Sequence, residues 1–504
     1  MLKMKLAVTL MICLCCMQTM AQQFHVSISD TELGPSKIAL PGGGYIDVRK
    51  EDKNVSGMNW NKYRMTVTLI QYDKDMKVIK ENKLSGGNNV YNANIYSSLE
   101  KIGDKIWFIY VEPAEKNNIG NIMAVEVNPL TLETSSPKTL AASTSMGLSL
   151  PLMAGLDAKK FVLKYSPDRK RVLLLVGAGK EQFYLSCLDD QLNVIWGKNE
   201  TIAGITDKEI QSEIIDNGGT IYVGYKSDEK GDANETANIV VFKQTGAPVH
   251  KTLRIPNARP AEVLLLSSKQ GDSIHIAGTY SDKTDNLAGV FKAAMATGNL
   301  KLTAAEKSSF PTTLVEHFAD DDWGNTKEKK YGISPELSSQ LVETGEGISM
   351  VAEFNRVETP RNKPFYISGD ILNIHFDNKQ ISFTRIPKYR VSTGSFMGSS
   401  YYAFSAQGKT IIFYNDNEEN LTRDIDLKPV GSSNYKNVVL VAAVIEPDGT
   451  LKREKIIDMK DQDFLALTEW MKVISPSAVK VPLQKVKFLG APGDQSKMAT
   501  ITID

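Results

Sequence analysis

Several groups of residues have the types and spacing that chemistry needs, and each points to a different kind. Asp320, Asp321, Asp322 and Trp323 stand in one run. Three carboxylates beside an indole can orient hydroxyls or a cation while the aromatic face buries part of a ligand. Asn415 to Asn420 is a second polar run, read as a surface turn that includes Asp416. Trp60 lies in another polar loop and is a further stacking candidate, whereas Trp107 stands in an apolar run and is expected in the core. Asp228, Asp232 and Asn234 alternate, but they lack the glycine and terminal glutamate of a calcium loop.

Other chemistries fail on context. Ala403 to Thr410 contains Gly408-Lys409-Thr410, the end of a relaxed phosphate-loop pattern, but Ile411-Ile412 follow it. A phosphate cradle needs a helix there, so a β-turn is expected instead. The five histidines, at 25, 250, 275, 317 and 375, are far apart and form no metal motif. There is no Gly-x-Ser-x-Gly elbow. A carboxylate pair for glycoside hydrolysis would be assembled from separate segments and cannot be read from spacing. No cofactor is expected.

The chain of 504 residues is 42% hydrophobic and 23% charged, with 59 basic and 59 acidic residues. That composition suits a large core and excludes a disordered or polytopic membrane chain. The charge balance gives no reason to expect nucleic acid as a partner. Lys3 and Lys5, the apolar run Leu6–Cys16, and Thr19-Met20-Ala21 read as a secretory signal peptide over residues 1–21, cleaved after Ala21. The cysteines of that segment do not follow a small residue, which disfavours a lipid anchor. Residues 22–504 are expected to form a single domain in the periplasm, at the cell surface or secreted. Only Cys187 remains there, so no internal disulfide is expected, and its alternating surroundings make it a strand residue. No later stretch is apolar enough for a transmembrane helix.

The elements that must position these residues recur. Short apolar runs follow turns at Tyr45–Val48, Ile106–Val111, Val172–Val176, Ile221–Gly224, Ile274–Ala277, Ile348–Ala352, Ile411–Tyr414 and Val486–Leu489, about 63 residues apart. Near-continuous apolar character means that both faces of each strand are covered. A second set of runs ends in hairpin residues, such as Asp73 to Asp75, Asn128-Pro129, Thr297-Gly298 and Pro447-Asp448-Gly449. This pattern predicts an all-β protein, a single β-propeller of eight four-stranded blades, with seven as the alternative. The last unit ends at Ala499–Ile503 without a hairpin partner. The isolated run Phe24–Ser29 could supply its fourth strand and remove an open sheet edge. A polar insertion is expected near 305–345, with a helix starting at Ser334-Pro335-Glu336, and Asp463–Ser475 is expected to add a short helix or strand.

Tyr165-Ser-Pro-Asp-Arg-Lys170 and Phe404-Ser-Ala-Gln-Gly-Lys409 resemble the strand-turn-strand repeat of TolB-type periplasmic propellers. Arg169 replaces the repeat's glycine, and Ala406-Gln407 replaces Pro-Asp. Val351-Ala-Glu353, Gly369-Asp-Ile371, Ile386-Pro-Lys388 and Tyr414-Asn-Asp416, with Asn420, resemble a family of uncharacterised exported proteins of Bacteroidota over residues 345–420. The resemblance implies an exported protein and brings no activity. Glu353, Asp370, Lys388, Asn415 and Asp416 stand in units adjacent to the insertion, and one rim of a propeller could gather them. Asn415 and Asp416 join Asp320–Asp322 and Trp323 as candidate ligand contacts; if Glu353, Asp370 and Lys388 are buried and mutually paired, their role is structural.

Three functional readings follow. The chain is read as a non-enzymatic binding or scaffold propeller of the cell envelope, whose partner would be a glycan or an envelope protein. The alternatives are a carbohydrate-active or other hydrolase on the same fold, and an obligate subunit of an envelope complex.

Overall fold

A computed structural model describes residues 24–31, 38–40, 44–52, 65–73, 77–84, 97–113, 119–142, 161–177, 181–202, 205, 210–226, 236–281, 286–320, 337–345, 347–358, 365–377, 380–393, 398–431, 437–459, 464–475, 477–486 and 492–504. The expected signal peptide, Trp60, Asp228 to Asn234, Asp321, Asp322, Trp323 and Ser334 to Glu336 lie outside them.

The strands form eight antiparallel sheets in chain order, the blades of a propeller. Blades 1 to 7 span 38–84, 97–141, 162–201, 210–253, 259–309, 337–393 and 401–458. Blade 8 takes three strands' worth of sheet from 464–503, and its fourth strand is Phe24–Thr31. That strand pairs with Pro492–Ile503, Phe24 opposite Ile503 and Ile28 opposite Ala499. Both chain ends therefore share one sheet. The first strand of a blade packs on the first strand of the next, so these strands form the inner ring about the axis.

The apolar runs are double-faced because each blade is a layer between two others. In blade 3, Val172, Leu174 and Val176 pack on Trp107, Ile109 and Ile122 of blade 2. The alternate residues Leu173 and Leu175 pack on Ile215, Ile221 and Val223 of blade 4. Five more clusters fill five other interfaces in the same way. At the last, blade 8 lays Lys480 Nζ 3.5 Å from the Tyr45 ring centroid of blade 1, beside Ile70 and Tyr72. Each fully buried Val, Leu or Phe contributes about 1.5–3 kcal/mol, so inter-blade packing carries most of the stability. Cys187 lies in the blade 3/4 cluster, and burial pushes its thiol up to about 11.

Three expectations are corrected. The second strand of blade 8 is Ala478–Val486, which begins eight residues before the expected run and meets it at Val486; residues 487–489 lie outside the described residues. The insertion is narrower than 305–345, because Glu306–Ser309 is the outer strand of blade 5 and Leu337–Glu343 the inner strand of blade 6. A helix, α1 (Thr312–Asp320), lies between them, ahead of the expected start at Ser334. Its Leu314 and Phe318 fill the blade 5/6 cluster, with the Phe318 ring centroid 4.1 Å from that of Phe354. Residues 463–475 do hold both a short strand and a 3-10 turn, Phe464–Ala466 and Thr468–Trp470. The phosphate-loop-like segment is a hairpin turn, with Gln407 and Gly408 at φ 52° and 79°. No helix among the described residues is long and apolar enough to cross a membrane.

Candidate functional site

Antiparallel order sends the starts of inner strands, the ends of second strands and the starts of third strands to one rim. The hairpin turns occupy the other. Glu353, midway along the second strand of blade 6, lies opposite Ser338 near the start of the inner strand; Asp370 is midway along the third strand, and Lys388 lies just past the fourth. Asn415 and Asp416 end the second strand of blade 7. The fold brings all five to one rim.

There they are buried and bonded to protein. Lys388 and Glu353 have no exposed side-chain surface; Lys388 Nζ pairs with Glu353 Oε1 and donates to the Ser399 carbonyl. Glu353 Oε2 accepts from Asn355 Nδ2 at 3.1 Å. Asp370 accepts from the Lys388 N–H at 2.8 Å and from Arg385 Nε at 2.5 Å, and its Oδ2 lies 3.0 Å from His317 Nε2 of α1. One carboxylate thus ties the insertion helix to two segments of blade 6. Burial pushes the Glu353 carboxyl up, against the pull of the Lys388 ammonium.

The segment from Asn415 to Asn420, expected as a surface turn, turns inward: Asn415, Asp416, Asn417 and Asn420 are all buried. The Asn415 amide donates to the carbonyls of Gly398 and Ala466 at 2.8 and 2.7 Å, stitching the entrance of blade 7 to blade 8. Asp416 Oδ1 accepts from the Asn417 N–H and from Asn420 Nδ2. Asn420 in turn exchanges hydrogen bonds with both main-chain groups of Val430. Burial pushes the Asp416 carboxyl up to about 7. Glu469 of blade 8 reaches back to accept from the Gly398 N–H at 2.9 Å, and burial raises its carboxyl too.

Glu353, Asp370 and Lys388 of blade 6 are thus linked to Asn415 and Asp416 of blade 7 through the Gly398-Ser399 main chain, and Asn415 carries the link on to blade 8. Asp320 closes α1, and Asp321, Asp322 and Trp323 follow beyond the described residues. Sequence reasoning missed Arg385, His317 and Glu469, which have no distinctive spacing. It also missed Glu262, whose carboxyl burial pushes up to about 7; Pro260, just before it, is a signal that a strand is interrupted. Among the described residues, no group of three or more His, Cys, Asp and Glu is arranged to hold a metal ion.

No protein-family model matches the chain, and a search of curated proteins finds no match. Similar solved structures include the β-propeller domain of the Trilobed protease from Pyrococcus furiosus, at 11% identity and TM-score 0.31, covering 88% of this chain and 98% of that one. The polysaccharide lyase Uly1 is similar at 10% identity and TM-score 0.35, covering 83% and 93%. The NanB sialidase from Streptococcus pneumoniae is similar at 10% identity and TM-score 0.32, covering 84% and 71%. The propeller assignment rests on the strand pairing above.

Proposed function

We propose that this chain is an exported binding or scaffold propeller of the cell envelope that works without covalent chemistry. The observation that carries the reading is the use to which the rim's charged groups are put. Lys388 is committed to Glu353, and Asp370 to Arg385, His317 and the Lys388 main chain. Groups held this way fix blade geometry and are not free to exchange protons with a substrate. A rigid ring with loops at one rim is a scaffold for recognition, and Asp320 to Trp323 remain the ligand candidates by residue type. Export follows from the basic, apolar and small-residue pattern of residues 1–21.

The test is fractionation of the native host, followed by N-terminal sequencing and capture of bound glycan or envelope protein. The reading expects a chain that begins at Gln22, in an envelope or secreted fraction, carrying a retained partner. A cytosolic chain with Met1 intact contradicts it. One observation favours the hydrolase reading. Asp416 and Glu262 have carboxyls pushed up to about 7, the range of a general acid. Turnover of an oligosaccharide by the wild type, abolished in Asp416→Asn or Glu262→Gln, would establish that alternative.

A further inference from the structure

The eight joints of the ring are not alike. Seven hold an apolar cluster that draws residues from both blades. At the joint between blades 8 and 1, the cluster among the described residues is Ile70 and Tyr72 with Tyr45 against them, all three from blade 1. Strand alternation explains the difference. On blade 1, Ile46 and Val48 face blade 2, so Tyr45, Asp47 and Arg49 face blade 8. On blade 8, Val479, Val481, Leu483, Ala499 and Ile501 face blade 7, so Lys480, Pro482, Gln484, Met498 and Thr500 face blade 1. The Lys480 amine over the Tyr45 ring fixes that orientation.

This joint therefore shuts charge away from water where the others shut away aliphatic surface. Asp47 and Lys480 are 3% and 7% exposed, and Arg49 is half-buried. Apolar faces resist parting because parting returns them to water. Buried charged groups regain hydration when they part, and that gain offsets much of the attraction they lose. Of the eight joints, the one between blades 8 and 1 opens at the lowest cost. Once open, it presents Lys480, Asp47 and Arg49 to solvent. Any other joint would present a broad apolar face, which invites association.

Parting breaks no sheet. The strand ladders lie within blades, and Phe24–Thr31 stays paired with Pro492–Ile503 in blade 8. The chain runs from Thr31 in blade 8 to Ile38 in blade 1, so the parted blades remain tethered. Local opening of this kind needs less free energy than unfolding. We propose that the joint between blades 8 and 1 is the ring's built-in opening, at which the two blades part reversibly while each stays folded. The device goes beyond the binding reading and does not depend on it.

The test is thiol labelling of a chain made to start at Gln22, with fluorescein maleimide, a reagent too bulky to enter a closed joint. Thr68→Cys reports on the joint between blades 8 and 1, because Thr68 is buried and shares a strand face with Ile70. The references are the native Cys187, buried between blades 3 and 4, and Thr410→Cys, where Thr410 of blade 7 is buried against Ser349 of blade 6. Rates are read peptide by peptide by mass spectrometry and divided by those of the urea-unfolded chain. Circular dichroism and melting temperature establish that each variant is folded. The expected result is labelling at position 68 at least tenfold faster than at 187 and 410, with the amides of Met65–Tyr72 and Ala478–Val486 still protected from hydrogen exchange. Met498→Cys, across the joint, should behave in the same way, and it takes the place of Thr68→Cys if that variant does not fold. A rate at the joint less than tenfold above either reference would overturn the proposal. So would fast labelling accompanied by loss of amide protection in either strand, because a blade would then be unfolding in place of a joint parting.

Discussion

Lys388 is an ammonium with no solvent contact, held between Glu353 and the Ser399 carbonyl. The attraction within such a pair is largely offset by the desolvation of both partners, so the pair adds little net stability. Removing one partner is different, because it strands a buried charge or donor. Lys388→Met or Glu353→Gln alone is expected to lower unfolding free energy by about 3–5 kcal/mol in urea denaturation. The double variant should lose clearly less than the sum of the two. Strict additivity would show that the residues do not act as a pair. The sequence indicated Glu353, Asp370 and Lys388 only through a resemblance. Their partnership is tertiary: Glu353 and Lys388 are 35 positions apart and meet because three strands of blade 6 and the entrance of blade 7 converge. Nothing local distinguishes Arg385 or His317 from a surface residue.

The hairpins show where local chemistry can be read and where it departs from the best choice. Ser166-Pro-Asp-Arg169 closes the first hairpin of blade 3, with Ser166 Oγ accepting from the Arg171 N–H at 3.0 Å and Asp168 from the Lys170 N–H at 3.0 Å. Arg169 takes φ 58°, where the matching turn of blade 4 has Gly219 at 84°. The side chain is exposed and lies over Tyr165, 4.9 Å from the ring centroid. Left-handed backbone costs a non-glycine residue about 1–2 kcal/mol, while the cation–π contact returns about 0.5–1 kcal/mol. Arg169→Gly is therefore expected to stabilise the protein by about 0.5–1 kcal/mol, read as a higher denaturation midpoint. A lower midpoint would mean that the Arg169 side chain contributes more than its backbone costs. Second strands such as Val172–Val176 were legible because both of their faces meet a blade. Ala478–Val486 was not, because Lys480, Pro482, Gln484 and Lys485 interrupt its apolar pattern. In α1, Thr312, Thr313 and Val315 blurred a helical signal that Leu314 and Phe318 carry at the right spacing.

At the scale of the whole ring, two consequences stand out. Glu262 and Asp416 have carboxyls raised by burial to about 7, from 4.5 and 3.8, and Glu469 is raised as well. The unfolded chain releases these protons near pH 4, whereas folded Glu262 and Asp416 keep theirs until about pH 7 and folded Glu469 releases its proton at a higher pH than when unfolded. Between those values the folded state binds more protons, so stability falls as pH rises. The melting temperature should be higher at pH 5 than at pH 8, and the difference should shrink in the Glu262→Gln and Asp416→Asn double variant. A melting temperature that climbs steadily from pH 5 to pH 8 would contradict this.

The central claim is that an eight-bladed ring is locked by a sheet shared between the two chain ends. Ser27, which is exposed, lies opposite the half-buried Thr500. In a chain made to start at Gln22 the one native thiol is Cys187, which is buried with its pKa raised, so it stays silent. The direct measurement is to treat the Ser27→Cys, Thr500→Cys double variant with a short bis-maleimide and map the product by mass spectrometry. The account predicts an intramolecular link between positions 27 and 500 in the folded monomer, lost when the chain is unfolded in urea before treatment. Two singly modified thiols, or links only between separate chains, would mean that the ends do not share a sheet and that the ring is not closed in this way.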